Sequence, residues 1–110
     1  MYKRQTAIDL PTDVPDAVER SLYFVAAELT ANAIKHSGAT RVRLEAGTAD
    51  DATGRALVLS VHDDGRGDAR VVPGHGLAGA ADRLTGLGGT LTVTSPEGGP
   101  TTVAVRVPLR

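Results

Sequence analysis

Arg41-Val42-Arg43-Leu44-Glu45-Ala46 and Ala56-Leu57-Val58-Leu59-Ser60-Val61 decide the fold. The first segment alternates polar and apolar residues, as a strand does when one face is buried and the other meets water. The second is almost wholly apolar, which suits a strand in the middle of a sheet. Gly47–Gly54 between them is polar and turn-like, so the two strands should form a hairpin. Upstream, Gln5–Leu10 alternates weakly and reads as an edge strand, and Pro11–Pro15 reads as a turn feeding a helix. Thr12 or Asp13 can cap that helix, and Pro15 suits its first turn. From Asp16 to His36 there is no Gly or Pro, and Val18, Leu22, Val25 and Leu29 recur at helical spacing until Ser37-Gly38.

Downstream, Asp63–Pro73 reads as a loop. Leu77, Ala80, Ala81, Leu84 and Leu87 predict a short helix over 77–87, ended by Gly88-Gly89. Thr90–Ser95 reads as a third strand of the sheet core. Pro96–Pro100 is a tight turn, and Val103, Val105 and Val107 mark a fourth core strand over 101–107. The order is β-α-β-β-α-β-β. Two helices cannot cover both faces of five strands, so the expected fold is α/β (α+β). It is a two-layer sandwich with a mixed, mostly antiparallel five-stranded sheet and the helices on one face. No repeat, linker or low-complexity segment divides the chain, and residues 1–110 read as a single domain.

Composition removes several function classes. There is no Cys, so disulfide scaffolds, Cys-zinc sites and thiol chemistry are out. Lys and Arg number 12 against 13 Asp and Glu, and aromatics are 3%, which leaves neither a charge footprint nor stacking platforms for nucleic acid. No apolar run reaches the roughly 20 residues of a membrane helix, and Met1-Tyr2-Lys3-Arg4 does not open a signal peptide. Gly is abundant, 13 of 110, and where the glycines fall points to the chemistry.

Three segments carry it. Glu28, Asn32 and Lys35 occupy i, i+4 and i+7 of the long helix, along the edge of its buried face. Glu28 and Asn32 offer hard oxygen donors one turn apart, suited to Mg²⁺ or its waters; a solvated i,i+4 pair is the plainer reading. Asp63-Asp64-Gly65-Arg66-Gly67 follows a hydrophobic strand. An acid at a strand end can accept from an exocyclic amine, and the glycines admit close backbone approach; alone, the segment reads as a plain turn. Gly74-His75-Gly76-Leu77-Ala78-Gly79 opens the short helix, whose free N–H groups suit a phosphate. It also matches the dinucleotide fingerprint G-x-G-x-x-G, with Glu97 about 20 residues on. However, Pro73 and a polar loop, not a strand, precede it, and the chain is short for two mononucleotide-binding halves. Walker, His-Glu-x-x-His and Gly-x-Ser-x-Gly motifs are absent.

In this order and spacing, Glu28–His36, Asp63–Gly67, Gly74–Gly79 and the Gly-Gly-Pro-Thr101 turn resemble the boxes of the GHKL ATPase superfamily. Within it, the chain resembles the catalytic ATP-binding domain of bacterial sensor histidine kinases, in the short-lid subfamily partnered with LuxR/NarL-type response regulators. The resemblance spans about Gln5 to Leu109. It implies the Bergerat fold, ATP and Mg²⁺ as ligands, and an ATP-dependent protein histidine kinase. In that reading Asp63 accepts from the adenine amino group, and Gly65 and Gly67 border the adenine. Asn32 holds Mg²⁺, and Glu28 polarises the nucleophile or binds a magnesium water. Lys35 and His36 face the phosphates, Gly74, His75, Gly76 and Leu77 border them, and Thr101 lies under the adenine.

Two departures stand out. Only Asp68–Pro73 separates the glycine boxes, so no long lid or phenylalanine box is expected. The phosphoacceptor His is missing, because His36, His62 and His75 all fall inside the boxes. The chain is therefore expected to be an excised catalytic domain or kinase fragment. It should be monomeric and cytoplasmic, and act on a dimerisation and phosphotransfer domain outside it, without direct membrane or nucleic-acid contact. The competing readings are an anti-sigma-factor type serine kinase, a non-catalytic ATP-gated interaction module, and an NAD-binding domain.

Overall fold

A computed structural model describes residues 3–11, 13–52, 54–66 and 76–109. Lys3–Ile8 forms β1, Asp16–Ser37 α1, Arg41–Asp51 β2, Gly54–Asp63 β3, Gly76–Thr85 α2, Thr90–Thr94 β4 and Thr101–Pro108 β5. The strands make one sheet in the order β1-β2-β3-β5-β4. The β1–β2 pair is parallel and the other three are antiparallel. Parallel neighbours need a long crossover, and α1 supplies it.

The sheet is one-sided because its residues alternate. Val42 and Leu44 of β2, Leu57, Leu59 and Val61 of β3, and Val103, Val105 and Val107 of β5 are buried in one cluster. Their neighbours Arg41, Arg43 and Glu45 are exposed, and Val58, Ser60 and His62 are half-buried on the uncovered face. Leu22, Val25 and Leu29 of α1 and Leu77, Ala80 and Leu84 of α2 complete the cluster. Burying such side chains contributes about 1.5–3 kcal/mol each. This is the expected two-layer sandwich.

Several local expectations change. The β2–β3 hairpin does not break at Gly47: its ladder runs on through Gly47↔Val58 and Thr48↔Leu57 to Asp51↔Gly54. Thr48 and Asp50 there are exposed on strands whose backbone is paired, so composition imitated a turn. The first strand is Lys3–Ile8, not Gln5–Leu10. Pro15 is the N-cap of α1, with no side-chain capping bond. Asp13 instead pairs with Arg55 at 3.2 Å, and Thr12 lies outside the described residues. The second helix stops at Thr85, two residues before Leu87; the amides of Gly88 and Gly89 close it on Thr85 and Leu84 oxygens. β4 is an edge strand, not a core strand, because β5 inserts between it and β3.

Candidate functional site

The direction of the elements assembles the site. Asp13, just before α1, is bonded to Arg55 at the start of β3, while Thr40, just after α1, is bonded to Asp64 at the end of β3. So α1 runs alongside β3 in the same direction, and its second half lies at the Asp63 end. α2 hands over to β4 at the level of Arg106, which pairs with Val58 well back along β3, so α2 runs from the Asp63 end toward the other. The second half of α1, the end of β3, the start of β5 and the N-terminus of α2 thereby share one end of the covered face.

On α1, Glu28 and Asn32 are half-buried and Lys35 is exposed, as expected for residues along the edge of a buried stripe. His36 belongs to α1. Asp63 ends β3 on the covered face and is only 8% exposed. One of its oxygens, Oδ1, accepts from the Gly65 amide at 2.8 Å. This turn is the plain reading of Asp-x-Gly, and it also fixes the carboxylate of Asp63 for a further partner. Thr101 pairs with Asp63 across the ladder, is 3% exposed, and shares a 2.6 Å bond with the Ser95 hydroxyl. Gly65 is buried. Gly76 is the first residue of α2, and the side chain of Leu77 is in the core, so Leu77 can offer a ligand only its backbone. Gly67, Gly74 and His75, and the short connection Asp68–Pro73, lie outside the described residues.

His62 departs from expectation. Its side chain lies on the uncovered face, with Nδ1 3.1 Å from Thr102 Oγ1 and Nε2 3.5 Å from Glu45. Alternation along β3 puts it opposite Asp63, so it is no part of the site.

Three contributors were not singled out in the sequence. Ser95 holds Thr101. Gly99, at φ +79°, lies so close to the Gly65 carbonyl that a Cβ would collide with it. Asp64 is exposed, yet it accepts from the amides of Thr40 and Arg41 and from the Thr40 hydroxyl. These bonds, the Thr40 hydroxyl first, hold its carboxyl at about 2, well below the usual value. A polar residue right before the tight turn and a second acid beside the first were the available signals. Among the described residues no cluster of three His, Asp or Glu could cage a metal.

Comparison with known proteins agrees with this arrangement. UhpB of Salmonella typhimurium (strain LT2), a signal transduction histidine-protein kinase/phosphatase, is 34% identical over 101 residues, covering 90% of this chain and 19% of UhpB. The sensor protein VraS of Staphylococcus aureus (strain COL) is 29% identical over 99 residues, covering 87% of this chain and 27% of VraS. The chain thus spans about a quarter or less of these relatives. Among solved structures, the histidine kinase domain of the Erythrobacter litoralis EL346 blue-light activated kinase superposes with a TM-score of 0.74 at 25% identity, over 98% of this chain and 55% of that one. The ATP binding domain of PrrB from Mycobacterium tuberculosis gives 0.69 at 27% identity, over 96% and 81%. Residues 17–110 match the family model of histidine kinase-, DNA gyrase B- and HSP90-like ATPases, and the chain belongs to that family.

Proposed function

We propose that the chain binds Mg-ATP and supplies the γ-phosphoryl group to a histidine on the dimerisation domain of a longer kinase, in two-component signalling. The observation that carries this reading is the meeting of unlike chemistries at one end of one face. A buried carboxylate on β3 is held by Gly65, two half-buried oxygen donors stand on α1, and α2 begins there at a glycine.

Each group has a distinct task. Asp63 accepts from the adenine amino group, with Gly65 against the ring and Thr101 beneath it. Gly67 extends the same border. The α2 N-terminus, at Gly76 and the Leu77 amide, offers N–H groups and the positive end of a helix dipole to phosphate oxygens; Gly74 and His75, outside the described residues, are assigned to the same border by the sequence. Lys35 adds positive charge and donors on the phosphate side, and His36, next to it on α1, is assigned to the phosphates with it. Glu28 and Asn32 fit Mg²⁺ that arrives on the phosphates: Mg²⁺ takes one or two protein oxygens and keeps its waters, and needs no three-acid cage. When bound, Mg²⁺ would neutralise charge on the phosphates. Glu28 is the group positioned to orient the attacking nucleophile. Phosphoryl transfer asks mainly for positioning and charge neutralisation, which this set provides.

The names of UhpB and of the superposed Erythrobacter litoralis domain favour histidine over serine as acceptor. The relevant partners are then a dimerisation and phosphotransfer domain and, indirectly, a LuxR/NarL-type response regulator. We place the working site in the cytoplasm, with the separate domain monomeric; among the described residues no helix is long and apolar enough to cross a membrane. The test uses the full-length parent kinase and γ-labelled ATP. Glu28→Ala is expected to cut transfer by about a hundredfold or more while ATP still binds. The label in the wild type should be acid-labile, as phosphohistidine is. Undiminished transfer in Glu28→Ala contradicts the catalytic role, and acid-stable label contradicts the acceptor.

A further inference from the structure

Asp64 follows Asp63 directly, yet its carboxylate is directed at the protein's own backbone. Oδ1 accepts from the N–H of Thr40 at 2.8 Å and of Arg41 at 2.9 Å. Oδ2 accepts from the Thr40 hydroxyl at 2.6 Å, and the Asp64 amide donates to the Arg41 carbonyl at 3.3 Å. Thr40 and Arg41 connect α1, which carries Glu28, Asn32 and Lys35, to β2. The four bonds therefore tie the segment bearing Asp63 and Gly65 to Thr40, three residues past the end of the helix bearing the phosphate-side residues, and to Arg41, the first residue of β2.

We propose that Asp64 is a positioning residue for the nucleotide: it holds the adenine-side turn in register with the second half of α1, so that one ligand can engage both. This inference rests on the ATP reading above. The physical reason is coupling. A ligand that touches both segments loses affinity when their separation is no longer fixed, whereas a ligand that touches one does not. Because Asp64 is exposed, water can satisfy Thr40 and Arg41 after its removal, so its loss leaves no orphaned buried group. An Asn at the position keeps an oxygen for both amides and an N–H for the Thr40 hydroxyl.

The experiment is a titration of the ¹⁵N-labelled chain with Mg-ATP and, separately, with adenosine, alongside thermal melts. Asp64→Ala is expected to raise the Kd for Mg-ATP about tenfold and that for adenosine less than about twofold. Asp64→Asn should return the ATP value to within about threefold of wild type. Thr40→Val, which removes only the Oδ2 partner, should shift ATP affinity in the same direction by a smaller factor, and it decides the matter if Asp64→Ala does not fold. An unchanged ATP affinity in Asp64→Ala overturns the proposal. So does an equal loss for both ligands, or a failure of Asn to rescue. Binding of neither ligand by the wild type overturns the nucleotide reading itself, and this inference with it.

Discussion

The two ends of the helix-covered face are built on different principles. At the end away from Asp63, Leu57, Leu84 and Val107 are almost fully buried, and the Asp13–Arg55 ion pair lies at the surface. At the Asp63 end, two of the three buried polar residues among those described, Asp63 and Thr101, lie side by side. Their partners include the Gly65 amide and the Ser95 hydroxyl. Buried polar groups destabilise a fold unless they are bonded. Placing them at one end concentrates that cost where a ligand would sit, and leaves stability to the apolar end.

Substitutions can break this division. The largest effect is expected at the apolar end: Leu57→Ala should cost about 3 kcal/mol and lower the melting temperature by more than about 10 °C, while ATP affinity of the folded fraction stays within about twofold. A large change in affinity would mean that the ends are not separable. Gly99→Ala comes next. Its positive φ and its approach to the Gly65 carbonyl should together cost about 2 kcal/mol or more and weaken ATP binding as well. Gly88→Ala is the control at the other end. Gly88 also has positive φ but has open space around it, so calorimetry should find a loss of about 1 kcal/mol with ATP affinity intact.

A smaller effect belongs to pH. The Thr40 hydroxyl and the Arg41 and Thr40 amides favour the charged form of Asp64 and lower its carboxyl to about 2. Its bonds therefore stabilise the fold above the ordinary carboxylate value, and that stabilisation fades as pH falls toward about 2. The difference in denaturant midpoint between wild type and Asp64→Asn should be constant above about pH 5 and shrink below about pH 4. The least effect is expected from Arg55→Ala: this pair is open to solvent on the surface, and its removal should be lost in the scatter of repeated melts.

The layered fold was legible because its signals are periodic. Val42 and Leu44, the apolar run of β3, and Val103–Val107 declare strands, and Leu22, Val25 and Leu29 declare a helix face. The strand order was less so. Nothing in the composition of Thr90–Thr94 says that β5 will insert beside β3, because that choice depends on long-range pairing. The polar end of β2 misled for a related reason: its solvent-facing residues mimic a turn while the backbone remains paired. At the site, Asp63 and the α1 residues were singled out only by the joint order of the segments and the family resemblance it carries; each segment alone had a plainer reading. The supports at Ser95, Gly99 and Asp64 could not, because each matters through a neighbour that only folding brings near.

The central claim is that the Asp63 carboxylate grips one end of an adenine nucleotide whose other end lies toward α1 and α2. Calorimetric titration of Mg-ATP into wild type and Asp63→Asn, with melts to show that both are folded, tests it directly. The account predicts one-site binding by wild type and a loss of at least about tenfold in the variant. Equal affinity in the two proteins, or no heat from the folded wild type, would contradict it.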